Sequence, residues 1–212
     1  MKTKYTKMQS NGNDFLVSED YGIVTKTREL SDRRGNIGFD QLLYFQNGNM
    51  AKLRVYNADG SEADNCINGL RCIAFLYGLK NTYIQIKNKK FLVNITTNGA
   101  TVEGDMPIVD KIHNWFVIKF GNNHIAKFCE NIDEFDLKAE YVKAKGYKPF
   151  NKIKDFNMSI FKICGDIIKI RTYENGTGET LSCGSATLSV ACALSKELDL
   201  KKFKFSSRGG IT

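Results

Sequence analysis

The chain has no long apolar run. Its longest stretch without a charged residue, Thr180 to Ser195, is shorter than the roughly 20 residues a membrane-spanning helix needs, and Gly, Ser and Thr interrupt it. The N-terminal segment MKTKYTKMQSNGND carries lysines but no apolar stretch, so no secretory leader is expected. No Cys-x-x-Cys pair occurs among the six cysteines, at 66, 72, 129, 164, 183 and 192, which removes the commonest zinc and thioredoxin-like spacings. In a chain with no extracellular signature, an even cysteine count does not imply disulfides. Dense basic patches are missing too. The 31 Lys and Arg outnumber 23 Asp and Glu, for a net charge of +8, but they are scattered, and KNKK (87–90) and KKFK (201–204) lack stacking aromatics. A solvated lysine-rich surface is therefore expected rather than a nucleic-acid interface. These absences predict a soluble cytoplasmic protein with reduced thiols and with neither membrane nor nucleic acid as partner.

What is present is ordinary globular composition, 42% hydrophobic and 25% charged over 212 residues. That is enough for one large domain or two small ones. Within it the chain repeats itself. KLRVYNADGSEADNCINGLRCIA (52–74) aligns without a gap on KIRTYENGTGETLSCGSATLSVA (169–191). Lys52, Arg54, Tyr56, Glu62, Cys66 and Ala74 meet Lys169, Arg171, Tyr173, Glu179, Cys183 and Ala191, every pair 117 residues apart. The repeat predicts two related halves, 1–104 and 105–212. In each, an alternating β-branched strand (AKLRVYN, IIKIRTY) runs into a Gly/Asp/Asn turn (NADGSE, ENGTGE) and then into a helix that opens at the cysteine. Asn65 and Ser182, one residue earlier, are good N-cap types. The second helix is apolar or small nearly all round, as a buried helix would be. TYIQIKNKKFLVNITTNGATVEGDM and WFVIKFGNNHIAKF read as further strands and turns. The expected fold is α+β: two similar domains, each a curved sheet or barrel around a central helix, with a site in the cleft between them.

Cys66 and Cys183 are then thiols at helix N-termini. In principle either could fill the core, ligate a metal, form half of a disulfide, or act as nucleophile or base. A helix N-terminus favours the thiolate, and its amides bind carboxylates. Two such cysteines facing one cleft would flank the α-carbon of a bound amino acid. One would remove a proton from one face and the other would deliver a proton to the opposite face. Cys72, Cys129, Cys164 and Cys192 are expected to be buried filler.

At these residues the chain resembles the diaminopimelate epimerase family. KMQSNGNDFLV (7–17), RRGNIGFDQLL (33–43), NADGSE with CINGLRC (57–72), GNNH (121–124) and YENGTGETLSCGSAT (173–187) carry the resemblance. It implies cofactor-independent, metal-free conversion of LL- to meso-diaminopimelate, a step of lysine and peptidoglycan biosynthesis. It implies Cys66 and Cys183 as the acid/base pair, with His124 and Glu174 assisting proton movement. Asn13, Gln41, Asn57, Asn122 and Asn157 would hydrogen-bond the substrate, and the amides of Ile67, Asn68, Gly184 and Ser185 would hold its reacting carboxylate. The implied partner is a small amino acid. A homodimer is left open.

The chain also departs from the family pattern. Ile67 stands in place of a glycine and is expected to crowd the carboxylate. Asn123 replaces a proline and Ala186 a glycine. Asn175 replaces the arginine that pairs with the distal carboxylate, and Arg171 lies too far back on the same strand to take over. The chain stops at SSRGGIT, ahead of strands that follow in the family. Three other readings compete: a two-cysteine racemase or epimerase of a different amino acid, an inactive homologue that binds a small zwitterion, and metal binding through Cys66, Cys183 and His124, the least favoured.

Overall fold

The computed structural model describes residues 4–153 and 155–212; the first residues of the N-terminal segment read for a leader lie outside them. The chain divides into two compact units, Met1–Asp105 and Met106–Thr212, each built on its own mixed sheet. The architecture is two-domain α+β. Among the described residues no helix is long and apolar enough to cross a membrane.

In the first unit, strands β1 (Thr6–Ser10) and β2 (Asn13–Ser18) form a hairpin, and a 3-10 turn at Tyr21–Lys26 leads into the short helix α1 (Thr27–Leu30). Strands β3 (Gln41–Gln46) and β4 (Ala51–Asn57), helix α2 (Ile67–Leu76), and strands β5 (Thr82–Ile86), β6 (Lys89–Thr96) and β7 (Gly99–Glu103) follow. The sheet runs in sequence order from β1 to β7. Its parallel pairs, β2–β3 and β4–β5, are the ones bridged by helices, because parallel neighbours need a crossover. Leu16, Leu42, Tyr44 and Tyr56 pack on the α1 side with Ile23 and Phe39. α2 packs against β1, β2, β6 and β7. Its close approach depends on Gly69, where a Cβ would meet Leu43 Cδ2 at 2.9 Å and Cys66 Sγ at 3.2 Å.

The second unit repeats this plan. Strands β8 (Ile108–Ile112), β9 (Trp115–Phe120) and β10 (Asn122–Phe128) precede helix α3 (Leu137–Lys145). Strands β11 (Phe156–Cys164), β12 (Ile167–Glu174) and β13 (Gly178–Thr180), helix α4 (Gly184–Leu198), and strands β14 (Lys204–Ser207) and β15 (Gly210–Ile211) complete it. β10–β11 and β12–β14 are its parallel pairs, crossed by α3 and α4. Period-two alternation sends neighbours to opposite layers. Trp115, Ile125, Phe156, Met158 and Ile160 pack with Leu137, Tyr141 and Ala144 of α3, while Phe116, Ile118, Ala126, Phe161, Ile168 and Ile170 pack with Val190, Ala193 and Leu194 of α4. Both faces are covered, which is why WFVIKF reads as an almost continuous apolar run. Cys72, Cys129 and Cys192 are buried filler; Cys164 is not, because it ends β11 beside the Gly165 turn and is only half-buried.

The repeated sequence occupies equivalent places. Arg54 grips Glu62 at 3.0 and 2.9 Å, and Arg171 grips Glu179 at 2.7 and 2.9 Å. Each bidentate pair fastens the turn that leads to a cysteine, fixing its geometry as fork-to-fork pairs do. Asn65 and Ser182 are not the N-caps: Cys66 and Cys183 are, both in extended conformation. At Cys66 the reason is local, since its own sulfur accepts the Gly69 N–H at 3.3 Å and so does the work of a capping oxygen.

Candidate active site

In the first unit the candidates gather at the N-terminus of α2. Alternation along β3 and β4 turns Gln41 and Asn57, a register pair, to the α2 side of the sheet. The Cys66 thiol donates to Gln41 Oε1 at 3.1 Å, and Gln41 Nε2 donates to Asn57 Oδ1 at 2.8 Å. Asn57 Nδ2 continues to Ser61 Oγ at 3.0 Å, and the Ser61 hydroxyl reaches Asp59 Oδ1 at 2.6 Å. Ile67 and Asn68 open α2, where helix geometry leaves the first amides outside the intrahelical ladder; both residues are buried. Arg71 follows one turn later, and its Nη2 donates to Asn68 Oδ1. Burial pushes its pKa down while the neighbouring Cys66 and Cys72 thiols act the other way. A guanidinium keeps its charge regardless, so it places a positive charge beside the Cys66 cap.

Asn13 opens β2, at the end of the strand that pairs beside Gln41. Its Nδ2 donates to Asp40 Oδ2 at 3.0 Å, and Arg33 bridges Asp40 and Asp14, at 2.7 Å to each. Burial pulls the Asp14 carboxyl upward, but hydrogen bonds from Arg33 and Lys7 outweigh it and hold it well below the usual carboxylate range. The GNIGFD segment is thus pinned to the first hairpin, with Asn13 at its edge.

In the second unit Cys183 caps α4, and its sulfur lies 3.3 Å from Ser185 Oγ. Gly184 and Ser185 supply the first amides of that helix. Alternation places His124, Asn157 and Glu174 on the sheet face covered by α4. His124 pairs in register with Asn157, and Glu174 lies one position beyond the Met158–Tyr173 pair on the next strand. His124 is 1% exposed, neither ring nitrogen has a hydrogen-bond partner, and burial pushes its pKa down to about 4. It is a neutral imidazole at neutral pH. Glu174 Oε1 accepts from Thr180 Oγ1 at 2.7 Å, and Asn157 Oδ1 accepts the Asn175 N–H at 2.9 Å. Asn122, at the start of β10, is exposed.

Asn175 is built into a cluster that the sequence did not disclose. Its Oδ1 accepts from the Tyr141 hydroxyl at 2.6 Å, and its Nδ2 donates to Asp155 Oδ1 at 3.3 Å. Lys145 lies 3.4 Å from the same carboxylate. Tyr141 and Lys145 come from α3, in a segment with little motif character, so no signal tied them to this place. Arg171 cannot substitute for a missing guanidinium here, because Glu179 and the carbonyls of Ile132 and Phe135 engage it.

Solved structures of the same fold include a phenazine-biosynthesis PhzF-family protein from Enterococcus faecalis, with a TM-score of 0.66 and 12% identity over 93% of this chain and 81% of that one. A predicted epimerase from Pseudomonas aeruginosa gives a TM-score of 0.64 and 14% identity, over 97% and 87%. The chain therefore shares its fold with these two proteins. The family model described as diaminopimelate epimerase matches residues 5–109. The diaminopimelate epimerase of Wigglesworthia glossinidia brevipalpis is 33% identical over 86% of this chain and 80% of its own length. That of Nitrosomonas eutropha is 30% identical over 99% and 90%, and that of Archaeoglobus fulgidus 29% identical over 100% and 88%. The chain belongs to the diaminopimelate epimerase family and is, with it, an isomerase.

Proposed function

We propose that the chain inverts the α-carbon of diaminopimelate, LL to meso, with Cys66 and Cys183 as a thiolate/thiol pair and no bound cofactor. The observation that carries this reading is that two cysteines, equivalent by repeat, each occupy the N-cap of their unit's central helix. In the proposed step one thiolate takes the α-proton and the opposite thiol delivers its own proton to the other face. The product leaves with inverted configuration, and the two sulfurs have exchanged protonation states. The electron pair left on the α-carbon spreads into the carboxylate. The opening amides of α2 and α4 would stabilise it there, as oriented donors stabilise charge that develops in a transition state. His124, neutral and with both nitrogens waiting for partners, would hydrogen-bond the substrate rather than pair with it as a cation. Glu174 and Asn157 share its face, and Gln41 orders the Cys66 thiol. Turnover of this kind would place the protein in lysine and peptidoglycan biosynthesis, in the cytoplasm.

A second reading keeps the chemistry and changes the amino acid. It is favoured by Asn175, which faces the Asp155 carboxylate, a poor neighbour for a second substrate carboxylate. Incubation in heavy water with candidate amino acids separates the readings. Deuterium appearing at the α-position of diaminopimelate, with LL and meso forms interconverting, supports the first. Exchange only into another amino acid would establish the second, and no exchange into any would remove both.

A further inference from the structure

We propose that Asp59 and Ser61 hold the proton on Cys66 through a hydrogen-bond chain of fixed polarity that runs by way of Asn57 and Gln41. The direction follows from the anchor. A carboxylate only accepts, so at 2.6 Å the Ser61 hydroxyl must donate to Asp59 Oδ1. Hydrogen bonds from the Ser61 side chain and backbone keep the Asp59 carboxyl below its ordinary range, so it stays an anionic acceptor at neutral pH. With its proton committed, Ser61 Oγ can only accept from its other neighbour, which fixes Asn57 with Nδ2 toward the serine at 3.0 Å. Asn57 must then turn Oδ1 to Gln41 Nε2 at 2.8 Å, and Gln41 must turn Oε1 to the Cys66 sulfur at 3.1 Å. An amide oxygen accepts from S–H and is repelled by a thiolate. Every donor in the chain points toward Asp59, and the far end favours the thiol.

Other groups act on the same sulfur. The Gly69 N–H, at 3.3 Å, and the Arg71 guanidinium both favour the thiolate. Arg28 acts on Asp59. Within the same turn, Glu62 is paired with Arg54 and Asp64 with Lys87. The chain therefore opposes the helix end, and it can be relieved. If the anchor is lost both amides are able to turn over, and Gln41 then offers Nε2 to a thiolate. Asp59 and Ser61 are positioning residues, exposed on the turn, where substitution leaves the packed core intact. The consequence for turnover rests on Cys66 acting as acid or base; the effect on the thiol does not.

The test is the pH dependence of iodoacetamide alkylation at Cys66 in the intact chain, read by peptide mass spectrometry for wild type, Asp59→Ala, which removes the acceptor, and Ser61→Ala. In both variants the apparent thiol pKa should fall by about one unit, giving roughly tenfold faster alkylation at a fixed pH below it. Ser61→Thr keeps the hydroxyl and should restore the wild-type profile. A shift in Asp59→Ala with none in Ser61→Ala would mean that the carboxylate acts by charge alone, and would overturn the proposal. Unchanged or raised values in both variants would overturn it as well. Because no substrate is present, absence of epimerase activity would refute the proposed function and leave this result standing.

Discussion

His124→Gln is the substitution whose effect the structure fixes most closely. The imidazole is 1% exposed with both nitrogens unpartnered, and its pKa falls from 6.5 to about 4 because burial penalises the charged form. In the unfolded chain the same ring protonates near 6.5. Between those two values the unfolded state binds a proton that the folded state refuses, so stability is lost as pH falls from about 6.5 toward 4 and changes little on either side of that window. For this one group the loss is about 2 kcal/mol at pH 5 and approaches about 3 kcal/mol at pH 4. Glutamine is polar, close in volume and does not titrate. Urea unfolding of both proteins, monitored by the fluorescence of Trp115 in the same unit and repeated from pH 7.5 to 4, isolates the term. The variant's stability relative to wild type should rise by about 2 kcal/mol between pH 7 and pH 5. A difference that stays constant with pH would show that His124 is not held neutral, and the part assigned to it would fall.

Other outcomes follow from the same geometry. Cys66→Ala and Cys183→Ala should each lower diaminopimelate turnover by about 10²–10⁴-fold, the usual contribution of a general acid or base, with the fold unchanged by circular dichroism; full activity in either would contradict the pair. Alkylation of the unfractionated chain near neutral pH should leave Cys72 and Cys192 slow, since burial pushes the Cys72 thiol up to about 12 and raises Cys192 as well; labelling of Cys72 ahead of Cys66 and Cys183 would refute this. Asn175→Arg should raise kcat/KM for diaminopimelate only modestly, because the new guanidinium meets Asp155 where Asn175 does now. Combined with Asp155→Asn it should gain about tenfold or more, the worth of one charged hydrogen bond, and no gain in the double variant would point to a different amino acid.

The parts of this molecule legible in the sequence are those where local chemistry and repetition agree. Strand β4, the NADGSE turn and helix α2 announce themselves by alternation, turn residues and a cap. The matched arginine–glutamate pairs at 54–62 and 171–179 explain why the two stretches align without a gap. The cap itself was misplaced by one residue, because propensity favours Asn65 or Ser182 whereas at Cys66 the sulfur takes the Gly69 N–H. The parallel pair β10–β11 and helix α3 were not legible: their partners are distant in sequence, and α3 is mostly polar with three buried side chains, Leu137, Tyr141 and Ala144. Asn175 was visible as a departure, but its engagement with Tyr141 and Asp155 depends on that docking. Likewise, Asp59 and Ser61 read only as turn formers until Gln41 and Asn57 were seen to link them to Cys66.

We propose that Cys66 and Cys183 act on one carbon atom from opposite faces, and two sulfurs so placed, with no substrate between them, are expected to be within reach of disulfide formation by an oxidant. Mild oxidation of the intact chain with diamide, followed by proteolysis and mass spectrometry without reductant, tests this directly. One dominant cross-linked peptide joining Cys66 to Cys183 is expected, formed in step with loss of turnover and reversed with it by thiol reductant. Oxidation that links either cysteine elsewhere, or that leaves both as thiols while activity disappears, would contradict it.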